Sequence, residues 1–491
     1  MKVQLGSFVQ MSIFDTLYSF YHNYEMPLAR VFHEIDRRGV MVDATRLESF
    51  VKMLDIKLEA CCQKIENEVK MKVVPKQPKG VKTPAGTLNL SSPQQLIKIL
   101  TNDLKIKLKT KWETGLPTSG EDALNEAYAK TGNQILRNIL EAREYNKLKG
   151  TYAEAALLDG ILYSSWNVSG TVSGRRSSGA TIFQSSSGKK IGTNTQNLPK
   201  QSELGRSFRE CLVARPGRIF VSCDQAQAED WIVSGLIADN GGGTRGLDEL
   251  TQRVDRHRKL ASEIFKKPLS ECSKGTMLRF MGKKTRHAGN YGEGPGMMAT
   301  SLIKEVPDAV EQMSKDGKLI PYCEVLLNEF HKAEPEIRNT FQRGVETNLR
   351  NSRTLKTPIG RERYFFGLRP GADNSKLFKE AYSYIPQSTV GDNTGLAILY
   401  CETIHTGWVL LDGHDAITLE VPDSQADIIT AIELLRKAFD RELKFENGTA
   451  IKIPVEFEMG YDLKNEVECP VDLRTGLEPM LRTLRQQANR L

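Results

Sequence analysis

The sequence carries eight cysteines, Cys61, Cys62, Cys211, Cys223, Cys272, Cys323, Cys401 and Cys469, but no C-x-x-C pair and no histidine at zinc-finger spacing. Without such pairs a zinc ribbon lacks ligands and a dithiol redox centre lacks its partner, so free thiols are expected. Long apolar runs are missing too. Trp408 to Leu411 and Ala155 to Leu158 fall far short of the ~18 residues that cross a bilayer, so no membrane is expected. Met1 to Gln10 has neither a basic start nor an apolar core. No secretory leader is therefore expected, and the cytoplasm is the default compartment, a host's if the chain is viral. No segment repeats at a period of about 20 to 50 residues, which sets aside solenoids and propellers. Charge is nearly balanced, with 68 basic against 61 acidic side chains and a net +7. At 39% hydrophobic and 26% charged, the composition excludes a disordered or fibrous chain. The 491 residues suit two to four subdomains.

What the sequence does have is an uneven distribution of lysine. Between Lys70 and Lys111 there are ten lysines (70, 72, 76, 79, 82, 98, 105, 107, 109 and 111) and one acid, Asp103. Such a block can track a phosphate backbone, or it can be a solvated loop. Pro75, Pro78, Pro84, Gly80 and Gly86 argue against helix from Val74 to Leu90. On either side the pattern is helical. Leu28, Val31, Phe32 and Ile35 form a stripe, and Asp43 caps a second helix carrying Leu47, Phe50, Val51, Leu54 and Ile56. Ser92 and Pro93 open a further helix, and helices are expected again from Gly120 to Tyr152. The first 150 residues thus form a mainly helical, basic arm. Gly170 to Gly192 suits an ordered hairpin or a linker. Arg218 to Ser222 is a buried strand leading to Asp224, and Trp408 to Asp412 pairs with Ile417 to Val421 across a turn of Gly413, His414 and Asp415.

Asp224 and Asp415 each follow an apolar strand. A carboxylate pinned at a strand end is common turn chemistry, but two on neighbouring strands can hold a pair of Mg²⁺ ions about 3.5 to 4 Å apart. Arg279, Lys283, His287 and Tyr291 are spaced by four, drift only about 40° per step on a helix, and so share one face. Two cations followed by two rings suit a nucleotide's phosphates, sugar and base. The alternative is a basic face turned to solvent.

Together these residues resemble family A DNA polymerases, the bacterial DNA polymerase I group and its phage relatives. Asp224-Gln225-Ala226-Gln227-Ala228-Glu229 is similar to motif A, the Arg279 to Gly292 stretch to motif B, and His414-Asp415 to motif C. Ser173 to Ser178, Gln196 to Pro199 and Gly205 to Arg209 resemble the stretch leading into motif A. Asp255-x-His257 with Ala261 and Phe265 resembles the segment before motif B. Thr357 to Tyr364, Gln387, and Glu25 to Leu28 with Gly39 to Asp43 extend the likeness over about residues 25 to 463.

The resemblance implies an α+β right-hand fold with a helical thumb, an antiparallel β-sheet palm and helical fingers. The expected segments are an entry segment at 1–44, thumb at 45–152, palm at 153–235, fingers at 236–386, palm again at 387–464 and a C-terminal extension at 465–491. It further implies template-directed addition of dNTPs to a primer 3′-hydroxyl. Asp224, Asp415 and the Gln225 backbone carbonyl would hold two Mg²⁺ ions, with Mn²⁺ as an alternative. Arg279 and Lys283 would meet the triphosphate, with Lys283 favoured over Lys284 as proton donor by its spacing. His257 would lie near the phosphates, with Gln227, His287 and Tyr291 lining the nucleotide slot. Glu229 would exclude a 2′-hydroxyl. Arg175, Asn197, Gln387 and His414 would contact duplex and primer end, and Arg361 and Arg363 would be either template contacts or structural. Ala416 stands where the family has Glu, His287 where it has Phe or Tyr, Gln225-Ala226 where it has Tyr-Ser, and Ser383 where it often has Asn.

About 24 residues precede the thumb match, too few for a nuclease domain, so proofreading is expected from a separate exonuclease or not at all. A helicase or processivity subunit is a further candidate partner beside primer-template DNA, and the chain looks more phage-like than cellular. Leu477, Leu481 and Leu484 stripe a C-terminal helix that packs on the palm or docks a partner. Two rival readings are a single-subunit RNA polymerase, opposed by Glu229, and a catalytically dead DNA-binding homologue, suggested by Ala416.

Overall fold

The computed structural model describes residues 16–77, 81–110, 114–155, 157–181, 183–184, 188, 190–198 and 202–488. Lys79 and Lys111 of the lysine block, and Pro199, lie outside the described residues.

The first structural unit is helical because its caps and stripes are. The Asp43 side chain accepts from the Arg46 amide at 3.0 Å and starts helix α1 (Ala44–Val69), which buries Phe50, Leu54, Leu58, Cys61, Cys62 and Ile65. Ile56 falls off that stripe and is exposed. Ser92 caps Pro93–Lys98 in the same way. Helix α2 (Gln134–Lys147) packs along α1. The proline- and glycine-rich stretch forms a parallel strand pair, Lys72–Val74 with Thr87–Asn89. Every described lysine of the block is exposed, and from Lys105 to Lys109 the alternate residues Ile106 and Leu108 are buried. The block is therefore the basic outer surface of a packed unit, with period-2 burial beneath it.

The centre is one five-stranded antiparallel sheet. Its strands are β1 (Arg218–Gln225), β2 (Val409–Asp412), β3 (Ala416–Pro422), β4 (Val455–Gly460) and β5 (Val467–Glu468), ordered β2-β3-β1-β4-β5. On one face of β1, Ile219, Val221 and Cys223 are fully buried in the largest core. On the other, Phe220 seals a smaller core, and Ser222 and Asp224 emerge beyond it into a cleft.

Helices cover the sheet and build the opposite wall. They are α3 (Ala228–Asp239), α4 (Arg256–Phe265), α5 (Met277–Asn290), α6 (Leu319–Ala333), α7 (Ser375–Ile404), α8 (Gln425–Phe439) and α9 (Leu473–Ala488). Gly282 and Gly289 permit the close packing of α5. A Cβ at Gly282 would lie 2.4 Å from the His257 carbonyl oxygen, and one at Gly289 would lie 2.2 Å from the Phe330 ring. A third apolar core is shared by the N-terminal helices and those after α5, joining Leu124 and Tyr128 to Leu302, Val310 and Leu327. Lys304 pairs with Glu121 at 2.8 Å and Arg137 with Glu311 at 3.0 Å across that junction.

Several expected boundaries cut helices or divide the sheet. Residue 235 lies within α3, residue 386 within the 30-residue α7, and the 464/465 boundary separates β4 from its partner β5. Pro386 sits inside α7 without ending it. Helix α9 packs on the main core through Leu477, Leu481 and Leu484, and Arg485 holds Asp423 at 2.8 Å. Leu481→Ala is expected to lower stability by about 2 to 5 kcal/mol, and Ile56→Ala by no more than ~0.5 kcal/mol. Urea unfolding midpoints check both, and equal shifts would contradict this packing.

Candidate active site

The cleft, about 890 Å³, has the sheet as its floor and α5 as its wall. Asp224 stands opposite Ala416 of β3 and Glu456 of β4 in the ladder. Asp415 is next to Ala416, and its carbonyl accepts from the Gln225 amide at 3.1 Å. The register therefore brings Asp224 and Asp415 to one edge of the cleft. A non-glycine residue in the left-handed region is close to each in the chain: Gln227, three residues after Asp224, at φ 50°, and His414, just before Asp415, at φ 76°. Such backbone is sparsely populated and held in place by its surroundings. Gln227 caps α3, accepts from the Arg256 amide at 3.1 Å and donates to Val254 at 3.3 Å. The His414 amide donates to Asp412 at 2.9 Å, and its carbonyl accepts from Thr394 at 2.9 Å.

The Gln225 side chain turns away from the cleft. It donates to Thr394 at 2.9 Å and accepts from Asn393 at 2.6 Å, both on α7. Two carboxylates, one near the end of β1 and one in the turn just before β3, with main-chain oxygens nearby, are a hard-oxygen donor set of the kind Mg²⁺ and Mn²⁺ prefer. Among the described residues no group of three His, Cys, Asp or Glu side chains is drawn together as a ready metal cage. The donor chemistry fits divalent ions, but the protein alone does not complete their shells.

On α5, Thr276 caps the helix, accepting from the Arg279 amide at 3.3 Å. Arg279 reaches Asp255 at 2.6 Å, which itself caps α4 through the Arg258 amide at 3.0 Å. Lys283 is exposed and lines the cleft, whereas Lys284 is paired with Glu305. His287 borders the cleft on one side and a second pocket on the other, which it shares with Tyr291, Ser383 and Gln387. Its ring meets Tyr291 edge-on, with centroids 4.9 Å apart.

Glu229, in the first turn of α3, is clasped by donors from two other elements. Arg175 donates to Oε1 at 2.7 Å, and the buried Tyr291 hydroxyl donates to Oε2. Burial, then the Glu229 charge, raises the Tyr291 pKa far above the usual phenol value, so Tyr291 remains the proton donor. Asn197 is exposed, with its side-chain oxygen 3.4 Å from the His414 ring. Arg361 is spent inside the fold, bidentate to Asp392 at 2.9 Å and 3.0 Å from Glu25. Arg363 pairs with Glu380 at 2.6 Å, beside the second pocket.

Sequence reasoning passed over Glu456, Arg176 and Asp412. The alternation Val455-Glu456-Phe457-Glu458-Met459 signals a strand with one acidic face, on which Glu456 flanks Asp224. Arg176 and Asp412 form a fully buried ion pair, and no local pattern distinguishes them from surface residues.

Comparison with known proteins places these features in a family. The model of DNA polymerase family A matches residues 59–465, and the chain belongs to that family. DNA polymerase I of Caldicellulosiruptor bescii is 24% identical over 454 residues, covering 89% of this chain and 46% of that protein. The thermostable DNA polymerase I of Thermus thermophilus is 26% identical over 454 residues, covering 90% and 48%. The chain thus spans about half the length of these relatives. The solved POL domain of Pol1 from M. smegmatis, in complex with DNA primer-template and dNTP, has a TM-score of 0.69 at 22% identity over 91% of this chain and 71% of that one. The shared architecture is the right hand, in which helical thumb and fingers flank an antiparallel palm. Among the described residues no helix is long and apolar enough to cross a membrane.

His257 gives the site a pH signature. Burial first, then Arg286 and Lys283, hold its pKa well below the ordinary imidazole value. Unfolding restores it to about 6.5. The unfolded chain then binds the extra proton, so the stability carried by neutral His257 is complete above that value and is lost as pH falls below it. His257→Gln is expected to lose less melting temperature than the parent between about pH 7.5 and 5.5. An equal loss would show that the ring titrates alike in both states.

Proposed function

We propose that this chain is a template-directed DNA polymerase that adds dNTPs to a primer 3′-hydroxyl. The observation that carries the reading is the facing of two sets of groups across one cleft, Asp224 on β1 with Asp415 in the turn just before the paired strand β3, and Arg279, Lys283 and His287 on α5. Two divalent ions, Mg²⁺ or Mn²⁺, held by Asp224, Asp415 and the Gln225 carbonyl, would activate the hydroxyl and neutralise the developing phosphate charge.

The chain's own groups do the rest. Arg279 binds the triphosphate from a guanidinium oriented by Asp255. Lys283 delivers a proton to the departing pyrophosphate. His257, neutral and buried behind them, stands close to the phosphates. Glu229, fixed by Arg175 and Tyr291, occupies the space that a ribonucleotide 2′-hydroxyl needs, and rejects it by crowding and by an unmatched polar group. His287 and Tyr291 wall the nascent base pair. Arg175, Asn197, Gln387 and His414 meet the minor groove and primer end, where correct pairs present similar acceptors. The exposed lysines from Lys70 to Lys109 grip the duplex phosphates. The thumb spans about residues 45–152, the fingers follow α3, and the palm is the sheet with α7 and α8. Mismatch excision would fall to a separate exonuclease, with a helicase or processivity subunit as further partners in replication.

Primer extension with purified protein and Mg²⁺ or Mn²⁺ tests the reading. Asp224→Ala and Asp415→Ala are each expected to slow nucleotide addition by at least about 10²-fold. Glu229→Ala is expected to raise rNTP use relative to dNTP by about tenfold or more. Absence of extension with either ion, or undiminished extension by both Asp variants, sinks the assignment.

A further inference from the structure

At the back of the cleft, with Asp230 and Arg286 among its lining, lies a cluster of charges that the proposed reaction does not use. Asp230 on α3, Arg256 on α4, Arg286 on α5 and Glu334 at the end of α6 have side chains only 3%, 2%, 2% and 7% exposed. Arg256 donates to Glu334 at 2.7 Å and to Ser234 at 2.9 Å, and it reaches Glu249 at 3.0 Å. Arg286 grips both Glu334 oxygens, one of them at 2.8 Å, and lies 3.4 Å from Asp230. Arg256 stands 3.1 Å from Asp230 Oδ2, which has no aligned hydrogen bond, so that contact is ionic. Two cations thus face Asp230, Glu334 and, at the margin, Glu249, and the opposite charges offset one another in the interior. Burial acts to raise the pKa of Asp230, and Arg256 with Arg286 more than offsets it, leaving the carboxyl below its ordinary value.

Such clusters are poor devices for stability alone, because well-packed apolar groups of similar volume commonly serve as well or better. What an ion cluster supplies is a single permitted geometry. A one-residue slip of α5 rotates its side chains by about 100° and would strand a buried guanidinium without a partner. The placement gives that geometry its object. Asp230 follows Glu229, Arg256 precedes His257, and Arg286 precedes His287. Each charge is therefore covalently adjacent to a group of the cleft, and Glu334 ties the helices bearing them together from behind.

We propose that Asp230, Arg256, Arg286 and Glu334 are positioning residues for nucleotide selection. They fix α5 against α3 and α4 so that Arg279, Lys283 and His287 meet the same nucleotide whose sugar is checked by Glu229. This rests on the polymerase reading above. The cluster acts on how tightly, and with which sugar, the nucleotide binds, and it touches no reacting atom.

Two principal variants test it, with an Arg286→Met and Arg286→Lys pair beside them. One replaces the whole cluster with apolar groups (Asp230→Leu, Arg256→Met, Arg286→Met, Glu334→Leu). The other is the isosteric Glu334→Gln. The fourfold variant is expected to keep the parent's urea midpoint while hydrogen exchange of the α5 amides quickens by about tenfold in the nucleotide-free protein. In single-nucleotide addition, KM for dNTP is expected to rise about 10- to 100-fold, with kcat changed by less than about threefold and dNTP-over-rNTP preference reduced. Glu334→Gln should shift KM in the same direction, and Arg286→Lys, which keeps the charge, should restore part of the exchange protection lost in an Arg286→Met single variant. Folded variants with parental exchange and KM overturn the proposal. So does unfolding of both the fourfold and the Glu334→Gln proteins, since the cluster would then be a requirement of the fold. A parent protein that extends no primer defeats the polymerase reading instead, and the α5 exchange comparison still decides the positioning role.

Discussion

Everything at the cleft depends on the register of strand β1 between β3 and β4. Side chains alternate along a strand, so a slip of one residue would exchange Ile219, Val221 and Cys223 for Phe220, Ser222 and Asp224. Asp224 would then be driven into the largest apolar core, a charge without a partner among fully buried aliphatics. The pairing of Asp224 with Ala416 and Glu456 is thus enforced by hydrophobic burial elsewhere on the same strand. Once β1 is placed, the β2–β3 hairpin fixes Asp415, and the left-handed residues Gln227 and His414 turn the chain away from the edge where both carboxylates stand.

The opposite wall is governed by packing of a different kind. Helix α5 approaches α4 and α6 closely only because residues 282 and 289 lack side chains. That intimacy gives the basic stripe a stiff backing, while Glu229 joins it to the floor through Tyr291 and Arg175. A carboxylate on α3 bonded both to Tyr291, at the end of α5, and to Arg175, in the loop before the strand Ser177–Gly179, depends on the position of all three. Small displacements of any of them therefore reach Glu229.

Local signals account for what could be read in advance. Asp43 and Ser92 cap the helices expected of them, the apolar run before Asp224 is a strand, and Leu477, Leu481 and Leu484 bury as a stripe. The four-residue spacing of Arg279, Lys283, His287 and Tyr291 survives because α5 is an unbroken helix. What escaped was set by partners distant in sequence. Glu456 becomes a neighbour of Asp224 only through a strand pairing more than 200 residues away. Arg176, Arg256, Arg286 and Glu334 have the composition of a solvated surface, and only tertiary contact buries them. The choice between a template contact and a structural role for Arg361 is open in the sequence because Asp392, its bidentate partner, is on α7. Ile56 was misjudged for the opposite reason: an apolar residue off the stripe simply faces water.

The net charge of +7 says little about function, whereas its sorting across the cleft says a good deal. The floor carries Asp224, Asp415, Glu456, Glu458 and Glu466, the last of them paired with Arg209 at 3.6 Å; the facing elements carry Arg253, Lys274, Arg279 and Lys283 along with Glu229 and Asp255. Around Asp224, Asp415 and Glu456 the like charges are unfavourable by themselves, and their field favours divalent cations over phosphate. The surplus of cations on α5 does the reverse and favours an anion. With Ala416 on the β3 side of Asp224 and Glu456 on the β4 side, the added acidity enters from β4. A cation and an anion are therefore favoured on opposite walls, and the strand register decides where the carboxylates stand between them.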